Sequence, residues 1–176
     1  MKKDFIMPIV VLSMICLFVT GALAIGHSLT QPIIAAAAAE RARLAMREII
    51  PQAENFEPLE LHGLPGALYA AYRTTNNAGY IFIVTTSGFG GAIRTICGID
   101  PDGRVIRTSV LFHSETPGFS DPVFAESNVS QYWGRDRSGI EGVSVIAGST
   151  VTAVAFKNAL RYAFAAFEIV TAGGAR

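Results

Sequence analysis

The hydrophobic residues follow different patterns along the chain, and each pattern predicts a different kind of element. The first pattern is an uncharged apolar run over residues 5–25, directly after Lys2, Lys3 and Asp4. At a rise of about 1.5 Å per residue, about 20 residues cross a hydrocarbon core of about 30 Å. The run therefore predicts a membrane-spanning helix.

The same run has features of a cleavable signal peptide, because Ala22-Leu23-Ala24 forms a small-x-small cleavage pattern after two lysines. It is, however, longer than the roughly 7 to 15 apolar residues of such a peptide, and no polar segment comes directly after it. These features favour a retained anchor. Because a first apolar segment near the N-terminus generally exports the rest of the chain, we expect a cytoplasmic N-terminus and an extracytoplasmic C-terminal domain.

Residues 33–50 are rich in helix-forming Ala, Arg, Leu, Met and Glu, with Thr30 and Pro32 before them and Pro51 after them. A polar cap, an early proline and a terminating proline predict a helical stalk. Residues 55–65 contain turn formers without a clear period and predict a surface linker. The expected division is an anchor over 1–30, a stalk and linker over 31–65, and a folded domain over 66–176.

The second pattern is a series of short apolar or alternating runs rich in Tyr, Ile, Val and Thr, which favour strands. Turn-forming residues, such as Asp100-Pro101-Asp102-Gly103, separate the runs. Short strands joined by such turns usually pair with their neighbours, so the runs predict an antiparallel meander. The predicted strands are 67–73, 80–86, 92–99 and 104–112, with a further short strand at 143–146.

The third pattern predicts an amphipathic helix over residues 150–171, which Gly173-Gly174 can end. Asp121-Pro122 predicts an earlier helix over 122–133, followed by a polar loop over 134–142. Together the elements predict an α+β fold, in which one or two helices pack on an antiparallel sheet. The apolar positions of the last helix are Val154, Phe156, Leu160, Phe164 and Phe167.

Composition excludes some functions. The formal net charge is zero and only 16% of residues are charged. No basic stripe is present, so nucleic acid is excluded as a partner. Cys16 lies in the membrane run and Cys97 in a predicted strand, which excludes a bond between them and favours a buried thiol at Cys97. No cysteine or histidine cluster predicts a metal site.

The turn Gly148-Ser149-Thr150 comes directly before the last predicted helix. The free N–H groups and the positive dipole end of a helix N-terminus favour phosphate. Taken alone, such a turn is more often a simple N-cap. The turn is therefore a candidate phosphate site only in the context of other motifs.

Several other short motifs accompany this turn, and their series is specific although each is weak alone. The motifs are Gly79-Tyr80, Gly88-Phe89-Gly90-Gly91, Gly98-Ile99-Asp100-Pro101-Asp102-Gly103, His113-Ser114-Glu115-Thr116-Pro117-Gly118 and Ala147-Gly148-Ser149-Thr150. This series resembles the FMN-binding domain of the G subunit of Rnf-type electron transport complexes, and of the related C subunit of sodium-pumping NADH:quinone reductases. The resemblance covers residues 67–160.

The resemblance implies a redox subunit, without an independent catalytic site, of an inner-membrane complex that couples ferredoxin and NAD chemistry to sodium or proton transport. It also implies FMN joined through a phosphoester to Thr150 by a flavin transferase that uses FAD. Alternatives are the C subunit of the quinone reductase and a membrane-anchored binding module without covalent flavin. The implied cofactor-binding residues are Glu115, Thr116, Pro117, Gly118, Gly148, Ser149, Thr150 and Thr152.

The chain departs from the family pattern at three positions next to the attachment residue. Ala147 replaces a usual Ser or Thr, Ser149 replaces Ala, and Ser144 replaces a common Asp. Ser149 therefore offers a second hydroxyl beside Thr150. Structural roles are expected for His113 and for the aromatic residues near these motifs, and Lys157 is expected to be solvated. These aromatic residues are Phe112, Phe119 and Trp133.

Overall fold

The computed structural model of the chain describes residues 2–60, 62–63 and 65–172, and it divides into two compact units, Met1–Arg41 and Ala42–Arg176. Helix α1 spans Lys2–Ile49. From Met7 onward it is long and apolar enough to cross a membrane. Thr30 does not begin a new helix as the sequence suggested. It lies inside α1, where its hydroxyl donates to the Gly26 carbonyl (2.9 Å).

The second unit contains a five-stranded antiparallel sheet whose strands lie in chain order. The four main strands confirm the predicted meander, with each boundary within one residue of its predicted position. The additional strand β1 lies in the segment predicted as a linker and pairs with β2. The strands are β1 Phe56–Pro58, β2 Leu68–Thr74, β3 Tyr80–Ser87, β4 Ala92–Ile99 and β5 Val105–His113.

Both faces of the sheet are covered by other parts of the second unit. Side chains alternate between the two faces along each strand, so neighbouring residues pack in different cores. On one face, Phe82 and Ile99 pack in the core that includes helix α5, Thr150–Ala172. On the other face, Ile81 and Ile83 pack against residues near the end of α1, including Ile50. The α+β fold is therefore confirmed.

Residues 42–65 contribute the end of α1 and strand β1 to this second unit. Met46, Ile49 and Ile50 are each at most 6% exposed. Cys97 is also buried, as predicted, and burial raises the pKa of its thiol to about 12. It stays a prediction that the anchor ends at residue 30 and that the stalk and linker end at residue 65.

The segment between β5 and α5 differs from its predicted structure. The expected helix over 122–133 is broken, because Ala125 has extended backbone (φ −58°, ψ 140°) that interrupts the helical hydrogen bonds. The predicted loop contains a helix whose N-cap is the Asp136 side chain. The observed elements are α2 Asp121–Phe124, α3 Glu126–Val129, a 3₁₀ turn Ser130–Tyr132 and α4 Arg137–Glu141.

Residues 143–146 do not form the predicted strand. Instead of pairing with a strand, the Val143 carbonyl accepts a hydrogen bond from Lys157 on α5 (2.6 Å). Helix α5 itself is confirmed, with Phe156, Leu160 and Phe164 fully buried. The predicted terminator Gly173-Gly174 lies outside the described residues.

Candidate functional site

A pocket of about 520 Å³ lies at the N-terminus of α5. It is formed by three segments that are distant in sequence: the glycine-rich turn between β3 and β4, the loop after β5, and the start of α5. The sheet brings the first two together, because β4 pairs with both β3 and β5. The lining residues are Phe89, Glu115, Thr116, Phe119, Gly148, Ser149, Thr150, Val151 and Thr152.

The turn before α5 is closed by a hydrogen bond from the Ser149 N–H to the Ile146 carbonyl (3.2 Å). Gly148 has a φ of +85°, which glycine adopts without the steric cost of a Cβ. Helix α5 then begins at Thr150. Because the first N–H groups of a helix have no acceptor within it, the turn offers N–H donors at the edge of the pocket.

Three hydroxyl groups lie at the start of α5, and their environments differ. The Ser149 hydroxyl donates to the Phe119 carbonyl, and the Thr152 hydroxyl donates to the Glu115 carboxylate (2.5 Å). Thr150 is exposed, and within the described residues its hydroxyl has no hydrogen-bond partner. Of the three, the Thr150 hydroxyl is therefore the one available for a reaction.

The Glu115 carboxylate joins the three segments of the pocket. It is 7% exposed and accepts hydrogen bonds from the Gly90 N–H (2.9 Å), the Gly91 N–H (3.3 Å) and Thr152. Burial raises the pKa of Glu115, but the hydrogen bonds from Thr152 and the backbone outweigh burial and lower the pKa below its ordinary value. Glu115 is thus a fixed negative charge at the pocket.

The glycines of the β3–β4 turn allow close contact with the loop after β5. A Cβ added at Gly90 would lie 2.8 Å from the Ser114 carbonyl oxygen and 3.0 Å from the Glu115 Cα. At Gly88 an added Cβ would lie 2.3 Å from a Glu115 carboxylate oxygen. In the structure these glycines lie close to the protein's own loop after β5.

The structure brings most of the predicted site residues to one pocket. Pro117 and Gly118 are not among its lining residues, and the Gly118 N–H donates to the Asp121 carboxylate (3.1 Å). Their predicted contact with a cofactor, like that of the lining residues, stays a prediction. The predicted residues that line the pocket are Glu115, Thr116, Gly148, Ser149, Thr150 and Thr152.

Sequence reasoning gave Phe89 and Val151 no separate role, and it favoured core packing for Phe119. The exposed fractions are 78% for Phe89, 69% for Phe119 and 55% for Val151, so all three present apolar surface to solvent at the pocket. The signal for Phe89 was its place between glycines, where it has no sheet neighbour to pack against. Exposed aromatic side chains at a pocket indicate ligand contact more than core packing.

Two further expectations have different outcomes. His113 packs against the Phe124 ring, with ring centroids 4.8 Å apart, in line with a structural role. Lys157 was expected to be solvated, and that expectation is wrong, because the residue is only 7% exposed. Its ammonium group donates to the Val143 and Glu141 carbonyls (2.6 and 3.2 Å), since a buried charge needs partners.

The residues of this pocket fit a flavin mononucleotide. Ligand pockets usually measure about 300–1,000 Å³ and combine apolar walls with a few placed polar groups. Here Phe89, Phe119 and Val151 provide apolar walls, and the start of α5 provides donors for a phosphate. The pocket therefore has a place for an aromatic ring and a place for an anionic group.

Comparison with protein families agrees with this fit. The sequence pattern of the FMN-binding domain matches residues 88–165, which include every residue that lines the pocket. This part of the chain is similar to the FMN-binding domain family. The matched residues include the glycine-rich turn, the loop after β5 and the start of α5.

The relatives of this chain confirm the resemblance to G subunits stated above. The G subunit of a proton-translocating ferredoxin:NAD(+) oxidoreductase complex from Clostridium ljungdahlii is 26% identical over 89% of this chain and 88% of its own length. The G subunits of ion-translocating oxidoreductase complexes show similar likeness. The one from Methanosarcina acetivorans is 29% identical over 92% of this chain and 94% of its own length. The one from Stutzerimonas stutzeri is 31% identical, over 64% of this chain and 53% of its own length.

Proposed function

We propose that this chain is a membrane-anchored electron-transfer subunit that carries FMN covalently on Thr150. The observation that carries the proposal is the available Thr150 hydroxyl at the edge of the pocket, in a domain of the FMN-binding family. The neighbouring hydroxyls of Ser149 and Thr152 are engaged in hydrogen bonds within the protein. Thr150 is therefore the attachment residue that we propose.

The attachment reaction requires a flavin transferase with FAD as the donor. The Thr150 oxygen forms a bond to the phosphorus of the FMN half of FAD, and the bond from that phosphorus to the bridging oxygen breaks. AMP leaves with the bridging oxygen, and the hydroxyl proton passes to the solvent or to a base of the transferase. No electrons are exchanged in this step.

The residues of the chain would hold the cofactor in distinct ways. The N-terminus of α5 favours the negative charge of a phosphodiester by about 0.3–1 kcal/mol when exposed. Phe89 and Phe119 line the pocket and would cover the flavin ring. The Glu115 charge opposes negative charge on a reduced ring, so it favours a lower reduction potential. The bound flavin supplies the electron transfer itself.

The names of the relatives support a role in a larger complex. We propose that this subunit works with other subunits of an inner-membrane complex that couples ferredoxin and NAD redox chemistry to transport of sodium ions or protons. Helix α1 would anchor it, with the N-terminus in the cytoplasm and the domain outside. A reporter active only outside the cytoplasm, fused to the C-terminus, should be active, and an inactive reporter would contradict this orientation.

The attachment residue is tested by replacing Thr150 and Ser149 separately by Ala in the full chain, produced together with a flavin transferase. Flavin fluorescence of the denatured protein should be lost in Thr150→Ala and kept in Ser149→Ala. The fold should persist in Thr150→Ala, since replacing a polar side chain at a helix start by Ala lowers the free energy of unfolding by only about 1 kcal/mol. Fluorescence that persists in Thr150→Ala and is lost in Ser149→Ala would move the attachment to Ser149. A wild-type chain without such fluorescence would favour a binding module without covalent flavin.

A further inference from the structure

Lys157 lies seven residues after Thr150 on the same helix, α5. At about 100° per residue, seven residues turn about 700°, which is within about 20° of two full turns. Thr150 and Lys157 therefore project from nearly the same side of α5. A rise of about 1.5 Å per residue places them about 10 Å apart along its axis.

The chain that leads into the attachment turn returns along this side of α5. Its beginning is held by Lys157, whose ammonium group donates to the Val143 carbonyl (2.6 Å) and the Glu141 carbonyl (3.2 Å). Its end is the turn in which Ser149 bonds to Ile146 and Phe119. Residues 143–149 have no helix or strand of their own, so their position depends on these hydrogen bonds and on the packing of Val143 and Ile146 against the core.

The burial of Lys157 makes the contact strong. Lys157 is only 7% exposed, so hydrogen bonds within the protein must replace the lost hydration of its ammonium group. Hydrogen bonds to a charged group are roughly twice as strong as bonds between neutral groups. By contrast, the bond from Arg161 on α5 to Glu141 is an exposed side-chain pair, and it does not reach Val143.

We infer that Lys157 is a positioning residue for flavin attachment: it holds residues 143–149 along α5 so that the Gly148-Ser149-Thr150 turn is presented in one conformation. This inference rests on the proposed attachment at Thr150. A transferase must bring the Thr150 oxygen to the FMN phosphorus of FAD, and such a reaction is sensitive to misplacement of the acceptor. A mobile turn would present that oxygen correctly only part of the time.

The test compares Lys157→Met with the matched control Arg161→Met. Both variants remove a cation of α5 that bonds to residue 141, but only Lys157→Met frees Val143. The full chain is produced without a transferase, purified in detergent, and incubated with flavin transferase and FAD. The initial rate of covalent flavin incorporation should fall about tenfold or more in Lys157→Met and stay unchanged within error in Arg161→Met.

Amide hydrogen exchange on the same samples separates positioning from general destabilisation. Lys157→Met should speed exchange at residues 144–149 and leave β3 and β4 unchanged. The inference is overturned if Lys157→Met incorporates flavin at the wild-type rate, if Arg161→Met slows it equally, or if exchange rises throughout the sheet. If Lys157→Met does not accumulate, Lys157→Gln is judged by the same outcomes. A wild-type chain that takes up no flavin contradicts the proposed function instead. Amide exchange at residues 144–149 still tests whether Lys157 holds these residues in place.

Discussion

At the scale of single residues, the polar groups around the pocket divide into those bonded within the protein and those left available. Glu115, Thr152 and Ser149 hold the segments of the pocket together through hydrogen bonds. Among the hydroxyls at the start of α5, the available one belongs to Thr150. Because the bonded groups define the shape in which the available one is presented, replacing them should affect stability before it affects attachment chemistry.

Glu115→Gln tests this division. The substitution removes an ionised acceptor of buried hydrogen bonds, so the free energy of unfolding should fall by about 1–3 kcal/mol at neutral pH. The folded-state pKa of Glu115 is lowered, so its stabilising contribution is present above the ordinary carboxyl pKa and is lost as pH falls through the lowered value. Chemical denaturation from neutral to acidic pH should therefore show the gap between wild type and Glu115→Gln narrowing.

The exposed Glu54 provides the control, and Glu54→Gln should change the free energy of unfolding little at any pH. A gap between wild type and Glu115→Gln that stays constant down to acidic pH would contradict the role of the ionised carboxylate.

Several of these residues could be predicted from the sequence, and others could not. Thr150 and Glu115 belong to motifs whose combination is specific, so the sequence places both at one site. Lys157 could not be predicted as buried, because a lone lysine in an amphipathic helix is usually solvated and its partners are carbonyls that carry no residue-specific signal. Phe119 was interpreted as a core residue for a different reason. Its apolar character does not distinguish the wall of a pocket from the interior of the protein.

At the scale of elements, the accuracy of prediction followed the strength of the local pattern. Strands β2 to β5 alternate or form apolar runs between clear turns, and their predicted bounds hold within one residue. The helix expected over 122–133 is divided at Ala125, which has no propensity that would break a helix. Its extended backbone separates α2 from α3 and is not predicted by its own propensity. A contact with α5 replaces the strand expected at 143–146.

The contact between the β3–β4 turn and the loop after β5 gives a test at this scale. Gly90→Ala places a Cβ 2.8 Å from a backbone oxygen of Ser114, which cannot move aside as a side chain does. The two segments must separate, at a cost of about 1–3 kcal/mol in the free energy of unfolding. Thermal and chemical denaturation measure the loss.

Gly66→Ala is the matched control, because a Cβ at Gly66 meets no atom within 4 Å. It should leave the free energy of unfolding nearly unchanged. An equally stable Gly90→Ala protein would mean that the two segments do not pack as closely as described.

At the scale of the whole molecule, the chain combines an apolar helix of membrane-spanning length with an α+β domain similar to the FMN-binding family. The hydrophobic pattern of the sequence was sufficient to predict the apolar helix and the α+β fold, because each follows a simple period or a continuous run. The pattern did not predict the packing of residues 42–65. These residues were interpreted as stalk and linker, but apolar residues near the end of α1 pack on the sheet. The proposed covalent attachment would keep a flavin on the protein at any flavin concentration.

The most direct test of the account is the mass of the chain purified under denaturing conditions from cells that contain a flavin transferase. We predict an intact mass higher than that of the polypeptide by FMN less one water, with fragmentation placing the addition on Thr150. The isolated peptide should also show flavin fluorescence. An unmodified mass in a chain that still binds flavin when folded, or an addition on any other residue, would contradict attachment at Thr150.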